Sequence, residues 1–205
     1  MTALEVPALL GIRVRLEPLD IRHVDDLLRA AHEDRRSYQF TSVPASEFEM
    51  RANIEMLMGE GQLGLAVPFA QVDNLSQRAV GMTRYLTIRT FPGTDAPFAT
   101  EIGGTWLAGS AQRTGLNTEA KLLLLRHAFE VWRVVRVDFK TDYRNERSRA
   151  AIARLGASFE GVLRQWQPSL VSGEEGTFRD SAMFSVVASE WPDVQSRIIS
   201  SMNRS

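Results

Sequence analysis

The chain has 205 residues, 44% hydrophobic and 24% charged, with 24 basic against 25 acidic side chains and a formal net charge of −1. That size and composition suit a soluble globular protein with one substantial core or two small ones, and the near-neutral charge gives no general field for nucleic acid or an anionic membrane. Cysteine is absent, which excludes disulfides, a cysteine nucleophile and thiolate metal sites and fits a reducing compartment. The start, Met1-Thr2-Ala3-Leu4-Glu5-Val6-Pro7, lacks the basic segment and long apolar run of a signal peptide. No apolar stretch approaches the roughly 20 residues that span a bilayer. The expected location is therefore the cytoplasm.

In chain order, Ile12 to Leu16 alternates apolar and charged residues and predicts a half-buried strand ended by Pro18. Asp20 is placed to cap a helix running to about Glu33, with Val24, Leu27, Leu28 and Ala31 on one face. Asp34 to Ser46 has no clear period and reads as a loop. A second helix is expected from Glu47 to Met58, stopped by Gly59 and Gly61. Leu65 to Val72 and Ala79 to Arg89 read as a hairpin about the turn Asp73-Asn74-Leu75-Ser76-Gln77, and Pro68 suggests an edge position or a bulge. After a loop from Phe91 to Pro97, Ala99 to Ala108 is a third strand of this run. A helix from about Asn117 to Trp132 carries Leu122, Leu125, Phe129 and Trp132 at helical spacing. Val134 to Phe139 is a strand, Asn145 to Leu155 a helix ended by Gly156, and Ser158 to Trp166 and Ser181 to Val187 two final strands.

This order predicts a mixed α/β (α+β) fold in a single domain. Between the strand ending near Ala108 and the next helix lies Gln112-Arg113-Thr114-Gly115-Leu116-Asn117. A glycine turn leading into a helix leaves the first N–H groups of the helix unpaired and pointing outward, with the helix dipole behind them. Phosphate is the natural occupant of such a site. The turn lacks the Gly-x-Gly-x-x-Gly pattern of a Rossmann fold and the Gly-Lys-Ser/Thr ending of a P-loop. No Gly-x-Ser-x-Gly elbow supports a serine hydrolase, and His23, His32 and His127 lack metal-ligand spacing, so no metal is expected.

Gln112 to Asn117, following a strand that holds Glu101-Ile102-Gly103, resembles the acyl-CoA pyrophosphate loop of the GNAT acetyltransferases. Asp142-Tyr143-Arg144-Asn145-Glu146-Arg147-Ser148-Arg149 through Ala157, continued by Glu160-Gly161-Val162-Leu163-Arg164, resembles the second half of that fold. The likeness is greatest to the RimJ/RimL-type branch, whose characterised members acetylate protein N-termini, ribosomal proteins among them. It covers about residues 10 to 188, leaving 189–205 as a C-terminal tail. The resemblance implies a central, mixed, mostly antiparallel twisted sheet of about seven strands flanked by helices. Where the family loop usually ends in Gly or Ala, this one has Asn117, a residue suited to capping a helix.

The resemblance implies an acetyl-CoA-dependent N-acetyltransferase, with acetyl-CoA as co-substrate and direct attack by the amine in a ternary complex. Gln112, Arg113, Thr114, Gly115, Leu116, Asn117 and Thr118 would hold the cofactor phosphates. A backbone N–H near Trp106, Leu107 or Ala108 would polarise the thioester carbonyl as in an oxyanion hole. Asn145 would meet the pantetheine arm or cap its helix, and Arg149, within the cluster Arg144, Arg147, Arg149 and Arg154, would meet CoA phosphate. Ser148 is the candidate acid for the leaving thiolate, because Ile152 stands where many relatives have a tyrosine; Tyr143 is the other nearby phenol. Glu101 is the candidate base, or else a structural ion pair. Asp95 and Glu174-Glu175 would add negative potential or be solvated loop charges. The expected acceptor is a peptide N-terminus or a small amine, with no nucleic acid or membrane partner and a homodimer left open. The rival reading is a non-catalytic acyl-CoA-binding regulator.

Overall fold

A computed structural model describes residues 4–94 and 96–203; Asp95 lies outside the described residues. Eight strands form one sheet: Leu9–Leu10 (β1), Val14–Pro18 (β2), Ala66–Asp73 (β3), Arg78–Thr90 (β4), Pro97–Leu107 (β5), Arg136–Asp142 (β6), Ser158–Pro168 (β7) and Phe178–Val187 (β8), in the order β1-β2-β3-β4-β5-β6-β8-β7. Seven are the expected strands, and the two-residue β1 is the addition. Every neighbouring pair is antiparallel except β5 and β6. Those two run parallel because the helix Leu116–Arg126 (α3) carries the chain from the end of β5 back to the start of β6.

The other helices are Val24–His32 (α1), Glu47–Gln62 (α2), Glu146–Leu155 (α4) and Trp191–Met202 (α5). Neighbouring residues of β4 show that α2 and α3 cover opposite faces of the sheet. Arg84 pairs with Glu60 of α2, while the buried Tyr85 donates its hydroxyl to the carbonyl of Leu124 in α3, at 2.6 Å. On the α3 side, Val137, Phe139, Ala182, Phe184 and Val186 of β6 and β8 meet Ile152 and Leu155 of α4 and Val194 and Ile198 of α5 in the core.

Four expectations are corrected. α2 runs through Gly59 and Gly61 to Gln62. A capping box between Ser46 and Glu49 starts it, and burial of Met50, Ile54 and Leu57 holds it against the cost of two helical glycines, about 1 kcal/mol each. The stop is Gly64, at φ +71°, where the N–H groups of Gly64 and Leu65 bond the carbonyls of Gly61 and Glu60. Pro68 is not on an edge strand, since β3 lies between β2 and β4. Its missing N–H faces the end of β2, where its carbonyl still accepts from Leu19. The helix after the glycine turn is α-helical only to Arg126 and widens to a π turn over His127–Val131. Residues 189–205, expected as a tail, carry α5, which buries Trp191, Val194 and Ile198.

Candidate active site

β5 and β6 pair only at Ala99, Thr100 and Glu101, opposite Arg136, Val137 and Asp138. Beyond Glu101 the strands part. Two things bend β5 away: a register shift in its pairing with β4 between Met82 and Arg84, and Gly104 at φ +57°. Because the strands are parallel, α3 and α4 both begin at the same end of this gap, beyond the carboxyl ends of the strands, where α/β crevices bind ligands.

The expected backbone donor is narrowed by the ladder. The N–H of Ala108 donates to Val80 O at 2.7 Å and is not available. Trp106 lies opposite Met82 in the ladder with β4. Leu107 points the other way: its carbonyl accepts from Tyr38 Oη at 3.1 Å and Gln112 Nε2 at 2.9 Å. Its N–H shares that side of the strand and faces the gap.

The glycine turn is built as an anion cradle. Arg113 at φ +62° and Gly115 at φ +86° flank Thr114, a left-handed alternation that turns successive N–H groups inward. Thr114 Oγ1 donates to Ala111 O at 2.7 Å and fixes the turn. Gly115 is the helix N-cap, with no side-chain cap bond, and the first α-helical bond runs from Glu119 N to Gly115 O. The N–H groups of Asn117 and Thr118 therefore have no acceptor within the helix. Asn117 is thus not the cap but the second helical residue, and its Oδ1 is buried without a partner. The Gln112 side chain turns away from the cradle to bond Leu107 O and Ser37 Oγ; it braces the loop.

On α4, Asn145 is the N-cap, its Oδ1 accepting from Ser148 N at 3.0 Å. This cap uses the carbonyl oxygen only and leaves the amide NH₂. The hydroxyl of Ser148 has no protein partner among the described residues, and Ile152 and Leu155 anchor the same helix face. Arg149 is stacked 4.5 Å over the Tyr143 ring and donates to Tyr143 O, so much of its capacity is spent. Arg144 is committed to Asp142 and Glu174. Burial alone would raise the Asp142 pKa, but the Arg144 hydrogen bonds outweigh it and hold that carboxyl below its usual range. Glu101, 5% exposed, sits at the point where the strands part and pairs with Lys140 Nζ at 3.2 Å.

Three residues near the loop have no signal in the sequence. Arg13 donates from Nη1 to Thr114 O at 2.9 Å and lies so close to Gly115 that a Cβ there would sit 2.4 Å from it. Glu119, in the first turn of α3, accepts from the N–H groups of Ile12, Arg13 and Val14, pinning the bend between β1 and β2 to the loop. Lys121 is buried beneath β5, and its partners among the described residues are Thr83 Oγ1 and Thr105 Oγ1. Their contacts are long-range, so spacing could not reveal them. A cleft of about 670 Å³ opens on the far flank of the loop, between α1 and the β3–β4 turn, but none of Glu101, Asn145 or Ser148 lines it. Among the described residues no group of three or more His, Asp or Glu is placed to hold a metal ion, and no helix is long and apolar enough to cross a membrane.

A sheet that parts beside an anion-binding helix start defines an α/β fold whose crevice is built to hold a phosphorylated ligand. The family profile described as Acetyltransferase (GNAT) domain matches residues 13–158. The chain belongs to the GNAT acetyltransferase family and is an acyltransferase. A structure from T. thermophilus, provisionally assigned as an acetyltransferase, is 37% identical, covering 96% of this chain and 97% of that one with a TM-score of 0.79. A GCN5-related N-acetyltransferase from Brucella melitensis is 29% identical, covering 97% and 86%, with a TM-score of 0.82. RimL, a ribosomal L7/L12 alpha-N-protein acetyltransferase, shares the fold at 20% identity, covering 88% and 93%, with a TM-score of 0.74. No curated protein gives a significant match.

Proposed function

We propose that the chain transfers the acetyl group of acetyl-CoA to a primary amine by direct attack in a ternary complex, with a peptide N-terminus as the favoured acceptor. The observation that carries this reading is the gap between β5 and β6 beyond Glu101, flanked by the unpaired N–H groups at the start of α3. The donor set fits the cofactor: a cradle at Arg113 to Thr118 for the pyrophosphate, Arg13 beside it as a cation, and open strand edges for amide groups of the arm. Asn145, the N-cap of α4, stands at the same end of the gap. The RimL likeness and the sequence resemblance to its branch favour a peptide acceptor over a small amine.

Bound acetyl-CoA supplies an acetyl thioester. The Leu107 N–H donates to its carbonyl oxygen as negative charge grows there, in the manner of an oxyanion hole. The Ser148 hydroxyl donates to the departing sulfur. Glu101 receives the proton of the attacking amine through water, and its ion pair with Lys140 fixes the carboxylate in place. Free-thiol release from acetyl-CoA, assayed with a panel of peptides and polyamines, tests the reading. Ser148→Ala and Glu101→Gln are each expected to lower kcat by about 100- to 10,000-fold while CoA affinity is retained. Full activity in both variants removes these residues from the mechanism. Tight CoA binding without turnover on any amine marks a regulator instead.

A further inference from the structure

Lys121 is a buried amine that the acyl-transfer steps leave without a task. It lies in the second turn of α3, and its partners among the described residues are two hydroxyls. Taking a lysine amine out of water is costly, and a methionine would fill the same space without that cost. What the amine adds is a pair of hydrogen bonds at one place in the sheet.

That place is the bulge in β5. Met82 faces Trp106 and Arg84 faces Gly103, so the single residue Thr83 of β4 stands opposite two residues of β5, Gly104 and Thr105. Lys121 Nζ donates to Thr83 Oγ1 at 3.0 Å and to Thr105 Oγ1 at 2.6 Å, and the two hydroxyls lie 2.9 Å apart. These atoms close a triangle across the bulge, with one corner on each of β4, β5 and α3. Thr105 Oγ1 also donates to Gly103 O at 3.4 Å. With Thr83 donating to Thr105 and Thr105 to Gly103 O, both hydroxyl oxygens stay open to the N–H groups of Lys121. On the opposite face, Arg84 lies so close to Gly104 that a Cβ there would sit 2.8 Å from its Nε, and Glu60 of α2 holds that arginine. The bulge is gripped from both sides of the sheet. Pairing of β5 with β6 ends at Glu101, just before it. Leu107 lies two residues beyond Thr105, roughly 7 Å along the strand. A bulge re-aims the strand that follows it, and a donor stabilises developing charge only when it is aimed at the place where that charge appears.

We propose that Lys121 is a positioning residue for acyl transfer: bound to Thr83 and Thr105, it holds the bulge that parts β5 from β6 and aims the Leu107 N–H. The inference rests on the acetyltransferase reading and adds to it a residue that acts from behind the strand, through β5, and not on the substrate.

The test compares wild type with Lys121→Met, Thr105→Val and the double variant Lys121→Met/Thr105→Val, by thiol release from acetyl-CoA with an amine that the wild type accepts. Lys121→Met should lower kcat about 10- to 100-fold, the scale of a misplacement of roughly 1 Å, with KM for acetyl-CoA and for the amine unchanged. The calorimetric stoichiometry of CoA binding should match wild type, so that the loss is not one of folded protein. Thr105→Val should lower kcat to a similar degree, and the double variant should be no worse than the weaker single variant, because the three side chains act as one unit. An unchanged kcat, a loss carried by KM, or losses that add in the double variant overturn the assignment. If Lys121→Met does not fold, Thr83→Val and Thr105→Val carry the same kcat-against-KM comparison. If wild type releases no thiol with any amine, the acetyltransferase reading fails separately, and amide hydrogen exchange decides for Lys121. Faster exchange at residues 103–106 of Lys121→Met, with residues 99–101 unchanged, supports the clamp; exchange identical to wild type overturns it.

Discussion

Lys121 shows how much a single buried side chain can change the pH response of this protein. Burial beneath β5, with two threonine hydroxyls and no carboxylate as partners among the described residues, lowers its pKa from 10.5 to about 7. Between those values the unfolded chain holds a proton that the folded chain has released. Stability therefore rises as pH increases from about 7 towards 10.5, and below 7 this group contributes no further change. Denaturant unfolding is expected to show a gain of roughly 2 kcal/mol from pH 7 to pH 9 that Lys121→Met abolishes. A pH profile identical in the two proteins would place the ammonium in water rather than in the core. The sequence offers only a lysine among leucines on a helix, which by itself reads as a solvated charge. Glu119 is similar: its partners, Ile12, Arg13 and Val14, lie more than 100 residues away in the chain.

At the scale of elements, the turn into α3 depends on one glycine and tolerates its asparagine. Gly115 needs a left-handed backbone, and a Cβ there would meet the Arg13 guanidinium. Gly115→Ala is expected to cost about 1–2 kcal/mol of stability and to weaken CoA binding at least tenfold by calorimetry, since the cradle and Arg13 shift together. Asn117→Ala removes a buried unpaired acceptor, so unfolding should show equal or greater stability, by up to about 1 kcal/mol, with CoA affinity retained. A loss of affinity comparable to that of Gly115→Ala would mean the amide itself contacts phosphate. Helix ends with local signals were legible: Asn145 and Gly156 bracket α4 as their residue types require. The end of α2 was not, because tertiary burial of Ile54 and Leu57 overrides two glycines and leaves the stop to Gly64.

Over the whole molecule, the loop between β7 and β8 is tied to the start of α4 by one ion pair. Arg144 bonds Asp142 and reaches Glu174, and Ser169 Oγ also donates to Glu174. The Arg144 hydrogen bonds, with that of Ser169, hold the Glu174 pKa at about 2. A carboxylate lowered in the fold contributes above its ordinary value near 4.5 and loses that contribution as pH falls towards 2. Hydrogen exchange should therefore show the amides of residues 169–177 opening between pH 4.5 and pH 2 before those of β8, and Glu174→Gln should show the open pattern at about pH 6. The pair also takes Arg144 and Glu174 out of the roles that charge counting alone suggested, a phosphate contact and a source of free negative potential.

The sequence by itself determined the class of fold, the anion-binding turn and the family, because each depends on short-range pattern: period two, period 3.6, a glycine at a left-handed position and a cap before a helix. The tertiary structure alone decided which backbone donor faces the gap, what Glu101 pairs with, and that Arg13, Glu119 and Lys121 matter. Those facts depend on where strands part and on which charges burial leaves without a partner. They follow from contacts between residues far apart in the chain, which local spacing does not encode.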